Sequence, residues 1–268
     1  MKNTSFLQRN PIVPFIILVF LLPTPILLLL FVNLPLEPIL IYASWTPNIA
    51  AFLVLGLILR EKGGIKQLIS GWGKWRVGVK WYLISLSPLF IAFLTAGIYI
   101  MRGGKPSSPV QPLGFTLLVS FILSIITGAA GEELGWRGFL LPRLQEKFNA
   151  LTSTLIVGLI WALWHLPLWT LKGQMWEQVP YWAFALGAIS SSVIFTFVLN
   201  NTGGSLFMAS LIHFALNYGL NIVGILGWIP KPDETWMIAS LLFTCYAIIL
   251  IVVSGSKLTL KSEHIPNK

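Results

Sequence analysis

The stretch LGFTLLVSFILSIITGAAGEELGWRGFLL, residues 113–141, decides how the rest of the chain reads. From Leu113 to Ala130 it holds no charged residue, and a bilayer crossing needs about 20 such apolar residues. Glu132, Glu133 and Arg137 then appear before the apolar run resumes at Phe139. An ionisable group at membrane depth costs about 2.5–3.5 kcal/mol on insertion scales. Two adjacent carboxylates cost more, because like charges repel. Something must compensate them, or one carboxyl must stay protonated. Arg137 offers part of the answer: it stands four residues after Glu133, on the same helix face. Glu132 lies about 100° around the helix and is left to point elsewhere. The bland alternative is a helix end at the cytoplasmic interface, with its charges snorkelling to water.

The same apolar character extends outward in both directions. The chain has 268 residues, 56% of them hydrophobic and 10% charged, whereas soluble domains carry roughly a quarter charged. A soluble fold of this length cannot hide so much apolar surface, so the expected class is all-α, a polytopic membrane bundle with a polar site inside it. The expected spans are Pro11–Asn33, Pro38–Leu59, Trp81–Met101, Leu113–Ala130 with an extension toward Leu141, Leu151–Trp169, Tyr181–Asn200, Ser205–Leu226 and Trp236–Ser254, about eight in all. The first is too long for a signal-peptide core and lacks a clear small-residue cleavage site, so it reads as a retained span. The single cysteine, Cys245, reads as a small core residue and permits no intramolecular disulfide. Three parts follow: residues 1–112 with helices one to three and a basic surface segment at 60–80, residues 113–228 as the catalytic helical core, and residues 229–268 with the last span and a basic tail.

The formal charge of +9 invites a nucleic-acid reading, but the cations sit between apolar spans and not on one polar face. They read as topology signals and as contacts for anionic lipid headgroups. With eight spans and a cytoplasmic N-terminus, Lys2, Arg9, Arg60, Lys62, Lys66, Lys74, Arg76, Lys80, Arg143, Lys147, Lys257, Lys261 and Lys268 fall on the cytoplasmic side. Only Arg102, Lys105, Lys172 and Lys231 fall outside, so both termini are expected in the cytoplasm. The segment 60–80, with Lys62, Lys66, Lys74, Arg76 and Lys80 among Ile, Leu, Trp and Val, is expected to lie as an amphipathic helix on the membrane surface.

The chain has three histidines. His264 belongs to the polar tail and reads as solvated. His165 and His213 fall inside expected spans, where a lone histidine is as often a structural hydrogen-bonding group as a functional one. His213 and Asn217 share a face at i and i+4. At about 1.5 Å of rise per residue, Glu132 comes out roughly 28 Å below the outer end of its span. His213 comes out roughly 12 Å above the inner end of its own. His165 comes out deeper, roughly 21 Å from Leu151, so convergence of these groups in the cytoplasmic half of the bundle is an expectation that requires the fifth helix to start later or the fourth to start deeper.

Glu132-Glu133-x-x-x-Arg137, then Trp161-x-x-x-His165, then His213-x-x-x-Asn217 resembles the motif series of the CPBP family, which comprises CAAX prenyl endopeptidases and bacteriocin-processing or immunity proteins. The family pattern is Glu-Glu-x-x-x-Arg, Phe-x-x-x-His and His-x-x-x-Asn, each on its own transmembrane helix. Each motif alone is weak; three in order, using both intramembrane histidines, are specific. Trp161 departs from the usual Phe and is expected to keep an aromatic pocket wall.

The resemblance implies an intramembrane endopeptidase acting on a membrane-associated substrate, prenylated and CAAX-type or another peptide, in the plasma membrane of a prokaryote. It implies Glu132 as the base that activates water, with His165 sharing that water, since a partly desolvated carboxylate makes a competent base. His213 and Asn217 would stabilise the oxyanion. Glu133 and Arg137 would brace the first motif. No cofactor is expected; zinc on Glu132, His165 and His213 is the runner-up, although the helical His-Glu-x-x-His motif is absent. Two non-peptidase alternatives remain open: a membrane scaffold or immunity factor whose polar cluster serves helix packing, and a proton-coupled transporter.

Overall fold

The structure, a computed structural model, describes residues 5–25 and 36–260. It is helical, with no strand among the described residues. We label α1 Ile12–Leu21, α2 Leu36–Ile58, α3 Val79–Met101, α4 Leu113–Gln145, α5 Ala150–Thr170, α6 Tyr181–Asn201, α7 Leu206–Ile225 and α8 Pro232–Lys257. Helices α2 to α8 are the seven that are long and apolar enough to cross a bilayer, which makes the chain a polytopic helical bundle and a multi-pass membrane protein. The first expected span is described only as far as Pro25, and its helix α1 has ten residues, less than a crossing. Lys2, Lys261, Lys268 and His264 lie outside the described residues.

Helix α6 is the most enclosed of the spans. It packs mainly against α5 and α8, while α7 packs against α3 and α4. Lipid competes for apolar surface, so helices in a membrane associate through close backbone approach and polar pairs. Both devices are present. Gly158 of α5 lies so close to α6 that an added Cβ would meet the Cα of Ile189 at 2.8 Å. Between α5 and α6 the Thr154 hydroxyl donates to Thr196 Oγ1 at 2.7 Å, and Ser190 of α6 meets Thr244 of α8 at 2.9 Å. The outward faces keep residues such as Leu83, Phe90, Phe115 and Val252 exposed, as a lipid-facing belt requires.

Two expectations are corrected. The segment 60–80 is not a long surface helix. It folds as a seven-residue helix, Gly64–Ser70, a tight turn at Gly71–Gly73 and then extended chain. Glycines 63, 64, 71 and 73 break any longer helix, and Gly71 docks on the bundle where a Cβ would meet Leu206 at 2.7 Å. Trp72 fixes the dock by donating its indole N–H to Ser210 Oγ at 3.0 Å. Cys245 is exposed on α8 and not in the core, because the α8 positions packed against α6 are taken by Ser240, Phe243 and Ala247.

The connections gather on two opposite faces. On one, the Gln8 side chain donates to Ile58 O at 3.0 Å, the Lys74 ammonium donates to Gly203 O at 2.6 Å, and the Asn200 amide donates to Lys257 O at 3.2 Å. On the other, Ser107 N–H donates to Gly227 O at 2.8 Å, and the rings of Trp176 and Trp236 lie 6.1 Å apart.

Candidate active site

Helix α4 departs from regular geometry twice. Ser124–Ala129 and Leu134–Leu140 are π-helical, and residues 130–132 form a turn between them. Glu132 and Glu133 therefore sit at a break in the helix and not on a regular turn. Wide turns of this kind are rare and concentrate at functional sites. Inside a bilayer the backbone groups such a break frees must find partners in the protein. Ser210 donates its hydroxyl to Ala129 O at 2.6 Å, and the Asn48 amide donates to Ala130 O at 2.7 Å. Asn48 also accepts the Gly135 N–H on its Oδ1 at 2.9 Å, spanning the break from α2. Glycines make these approaches feasible. A Cβ on Gly135 would stand 2.5 Å from Pro47 O, and one on Gly128 would stand 2.6 Å from His213 Nε2 and 2.5 Å from Asn217 Nδ2.

The two glutamates have different surroundings. Glu133 is fully buried, and its Oε1 accepts from Arg137 Nη1 at 2.9 Å. The same oxygen faces His213 Nδ1 at 2.6 Å, so the ring donates its Nδ1 proton to the carboxylate. Arg137 is held flat between rings, its guanidinium carbon 3.8 Å from the centroid of Phe195 and 4.8 Å from that of Trp161. Glu132 is held by one oxygen. Its Oε2 accepts the indole N–H of Trp161 at 2.7 Å and that of Trp136 at 3.2 Å. Its Oε1 lies 4.0 Å from His213 Nε2, beyond a direct hydrogen bond and near enough to share a small bridging group. His165 donates its Nδ1 proton to Trp161 O at 2.8 Å, which leaves Nε2 as an acceptor in the neutral ring.

A cavity of about 570 Å³ lies over these groups, and Glu132, Trp161, His165, His213 and Asn217 all line it. Glu133 and Arg137 do not; they lie behind it. The remaining lining is mainly apolar and aromatic, including Trp164, Phe184 and Trp236. Every residue named from the sequence is thus in or directly behind one site. Among the described residues no group of three or more His, Cys, Asp or Glu side chains is disposed to hold a metal ion.

Sequence reasoning left out three contributors. Trp136 carries no signal in the sequence beyond that of one more apolar residue inside the first motif. Asn48 was a visible signal, an amide in the middle of an apolar span, but nothing in the sequence paired it with α4. Gly128 carries no signal except its place among small residues. One role also changes. Trp161 is more than an aromatic wall, since it supplies a hydrogen bond that the family's usual Phe lacks.

The model of the type II CAAX prenyl endopeptidase Rce1-like family matches residues 114–219, which fall within the 113–228 stretch read as the catalytic core. A curated relative, CAAX prenyl protease 2 of Methanococcus maripaludis, is 24% identical over 196 residues, covering 67% of this chain and 72% of the relative. The 114–219 core that holds Glu132, Glu133, Arg137, His165, His213 and Asn217 is thus similar to the Rce1-like family of type II CAAX prenyl endopeptidases.

Proposed function

We propose that this chain is an intramembrane endopeptidase that hydrolyses a peptide bond of a membrane-associated substrate with a water activated by Glu132. One observation carries the assignment. Of two adjacent glutamates, only Glu132 lines the cavity, with one oxygen tied to Trp161 and Trp136 and the other directed toward His213. A water held between Glu132 Oε1 and the Nε2 atoms of His213 or His165 would give up a proton to Glu132 as it attacks the scissile carbonyl. Glu132 would then pass that proton to the leaving amine, so one carboxyl serves as base and then acid.

Glu133 orients His213 by accepting its Nδ1 proton, and Arg137 holds Glu133 in place. That contact refines the expected role of His213. With Nδ1–H committed to Glu133, the neutral ring offers a lone pair at Nε2 and fits the attacking water. It donates to an oxyanion only when doubly protonated. Asn217, an uncharged donor on the same face one turn away, suits the oxyanion in either state.

The cavity's mainly apolar lining suits an apolar or lipid-modified segment. The relative's name, CAAX prenyl protease 2, points to a prenylated C-terminal motif as the first substrate to try. The test is cleavage of matched prenylated and unmodified reporter peptides by purified protein and by Glu132→Gln. Cleavage by the first and not the second supports the reading. No cleavage of any membrane-presented peptide, or an active Glu132→Gln, would sink it.

A further inference from the structure

We propose that a second cavity, behind the candidate active site, binds a phosphate group, and that its walls favour the headgroup of an anionic phospholipid as the source. Nothing in this binding depends on peptide cleavage.

This cavity, of about 340 Å³, lies at one end of the bundle, between the Gly64–Ser70 helix, the last turns of α4 and the turn that joins α6 to α7. It shares no lining residue with the catalytic cavity among the described residues. Its ionisable lining is Lys74, Arg137 and Arg143 against one carboxylate, Glu61. Arg137 forms the inner end and is already balanced by Glu133 at 2.9 Å. The other two cations keep donors to spare. Arg143 lies flat on Phe139, its guanidinium carbon 3.8 Å from the ring centroid, and donates Nη1 to Phe139 O at 3.1 Å. Its Nη2 stands 3.9 Å from Glu61 Oε2, beyond a hydrogen bond, with no nearer acceptor among the described residues. The Glu61 side chain is 45% exposed, so water screens its charge. Lys74 gives one ammonium proton to Gly203 O at 2.6 Å and has two more to offer. Both cations are held before any ligand arrives: Arg143 by its stack on Phe139, and Lys74 by its own carbonyl, which accepts the Ser205 hydroxyl at 2.6 Å. A planar guanidinium fixed in this way loses little freedom on taking a phosphate oxygen.

The remaining walls favour a lipid over the free ion. Leu55, Leu68, Leu199 and Leu206 line the cavity beside the cations. A free phosphate would leave them against water, whereas a phospholipid would lay its glycerol and first methylenes there. The depth agrees. The chain that runs on from Lys74 carries Trp75, 51% exposed with the Arg76 guanidinium carbon 5.0 Å from its ring centroid, and Lys80 Nζ stands 5.1 Å over Trp81. Tryptophans and basic side chains gather at headgroup level. The headgroup should carry net negative charge, because the ammonium of a zwitterionic lipid would bring one more cation to Lys74 and Arg143.

The test is thermal unfolding of the purified protein in a neutral detergent, with no turnover involved. Short-chain phosphatidylglycerol, short-chain phosphatidylcholine, inorganic phosphate and chloride are added in turn, the two salts at matched ionic strength. A ligand that binds only the folded protein stabilises it, so phosphatidylglycerol should raise the unfolding temperature by at least about 2 °C. Phosphatidylcholine and chloride should not. Lys74→Gln and Arg143→Gln, each read against its own baseline, should lose about half of the rise or more. Lys62→Gln, on the same segment but outside the cavity, should keep it. Lys74 is exposed, so Lys74→Gln remains a valid test even where Arg143→Gln, which gives up the stack on Phe139, fails to fold. A rise with inorganic phosphate that Lys74→Gln also loses supports the phosphate site and makes the free ion a second ligand. No rise with either phosphate source, an equal rise with phosphatidylcholine, a rise undiminished in Lys74→Gln, or one lost equally in Lys62→Gln would overturn the proposal.

Discussion

In the mechanism proposed above Glu132 and Glu133 are neighbours with opposite duties, and single-atom changes separate them. Glu132→Gln keeps the size and one amide oxygen to accept the indole N–H groups, but it cannot take a proton from water. Cleavage should fall by about 10² or more while thermal unfolding in detergent stays near the parent value. Glu133→Gln instead leaves Arg137 buried beside a neutral group and removes the anion that orients His213. Breaking a buried ion pair on one side costs about 3–5 kcal/mol, so this variant should lose stability as well as activity. Adding Arg137→Met should restore part of the stability and little of the activity. Equal stability losses in the two Gln variants would reverse the assignment of base and brace. Trp161 allows a finer cut. Trp161→Phe keeps a ring against Arg137 but removes the 2.7 Å hydrogen bond to Glu132 Oε2, while Trp136→Phe removes the longer bond of 3.2 Å. A hydrogen bond to a charged group contributes about 1.5–3 kcal/mol, so Trp161→Phe should lower kcat by at least about tenfold, and more than Trp136→Phe does. A fully active Trp161→Phe enzyme would show that the indole only fills space.

At the scale of elements, the break in α4 decides what the sequence shows and what it hides. Hydropathy finds the helices because each crossing is a long uncharged run, and the i, i+4 pairing of Glu133 with Arg137 survives the irregular turns. The three motifs point to one site because ionisable groups are costly in an apolar span and so stand out. The π-helical turns at Ser124–Ala129 and Leu134–Leu140 leave no comparable mark, since they depend on where partners sit on other helices. Asn48 is the clearest case: it holds both sides of the break from a helix some eighty residues earlier, a pairing set by packing and invisible to spacing. The segment 60–80 fails for a related reason. Its alternating cations and apolar residues suggest an amphipathic helix, but its glycines and the dock of Gly71 on Leu206 override that pattern. Asn48→Leu should therefore strand Ala130 O, while the Gly135 N–H keeps only its second acceptor, Glu132 O at 3.0 Å. Each unsatisfied buried group costs about 1–3 kcal/mol, so the variant should unfold at lower temperature and lose activity with it. Gly128→Ala should behave differently, because its methyl group would press on His213 and Asn217 and leave the break's hydrogen bonds intact. Its activity should fall several-fold more than its stability accounts for. An Asn48→Leu protein as stable as the parent would mean that the break does not need its clamp.

The whole molecule extends well beyond the 114–219 core that the family model matches, and the parts outside that core hold the site from behind. Asn48 belongs to α2, and Phe15 belongs to α1. Phe15 is fully buried, packs on Phe139 and Trp136, and so supports the tryptophan that donates to Glu132. A chain of contacts therefore runs from the first helix to the Glu132 carboxylate through two aromatic residues. Phe15→Ala tests it. Truncating a buried Phe costs about 3–5 kcal/mol in water-soluble cores, where lost transfer free energy and an empty cavity add together. In a membrane protein the transfer part shrinks, because lipid is as apolar as the core, so the loss of stability should be a fraction of that range. The effect on catalysis should exceed it: with Phe15 gone, Trp136 can tilt away from Glu132 and the layer beneath the site loosens. We expect a modest fall in unfolding temperature, a clear fall in kcat and little change in KM, since the substrate-facing cavity does not include Phe15. Ile17→Ala, at an exposed position of the same helix, is the control and should change neither. Loss of stability with kcat intact in Phe15→Ala would show that α1 supports the bundle alone and that the contact chain stops at Phe139.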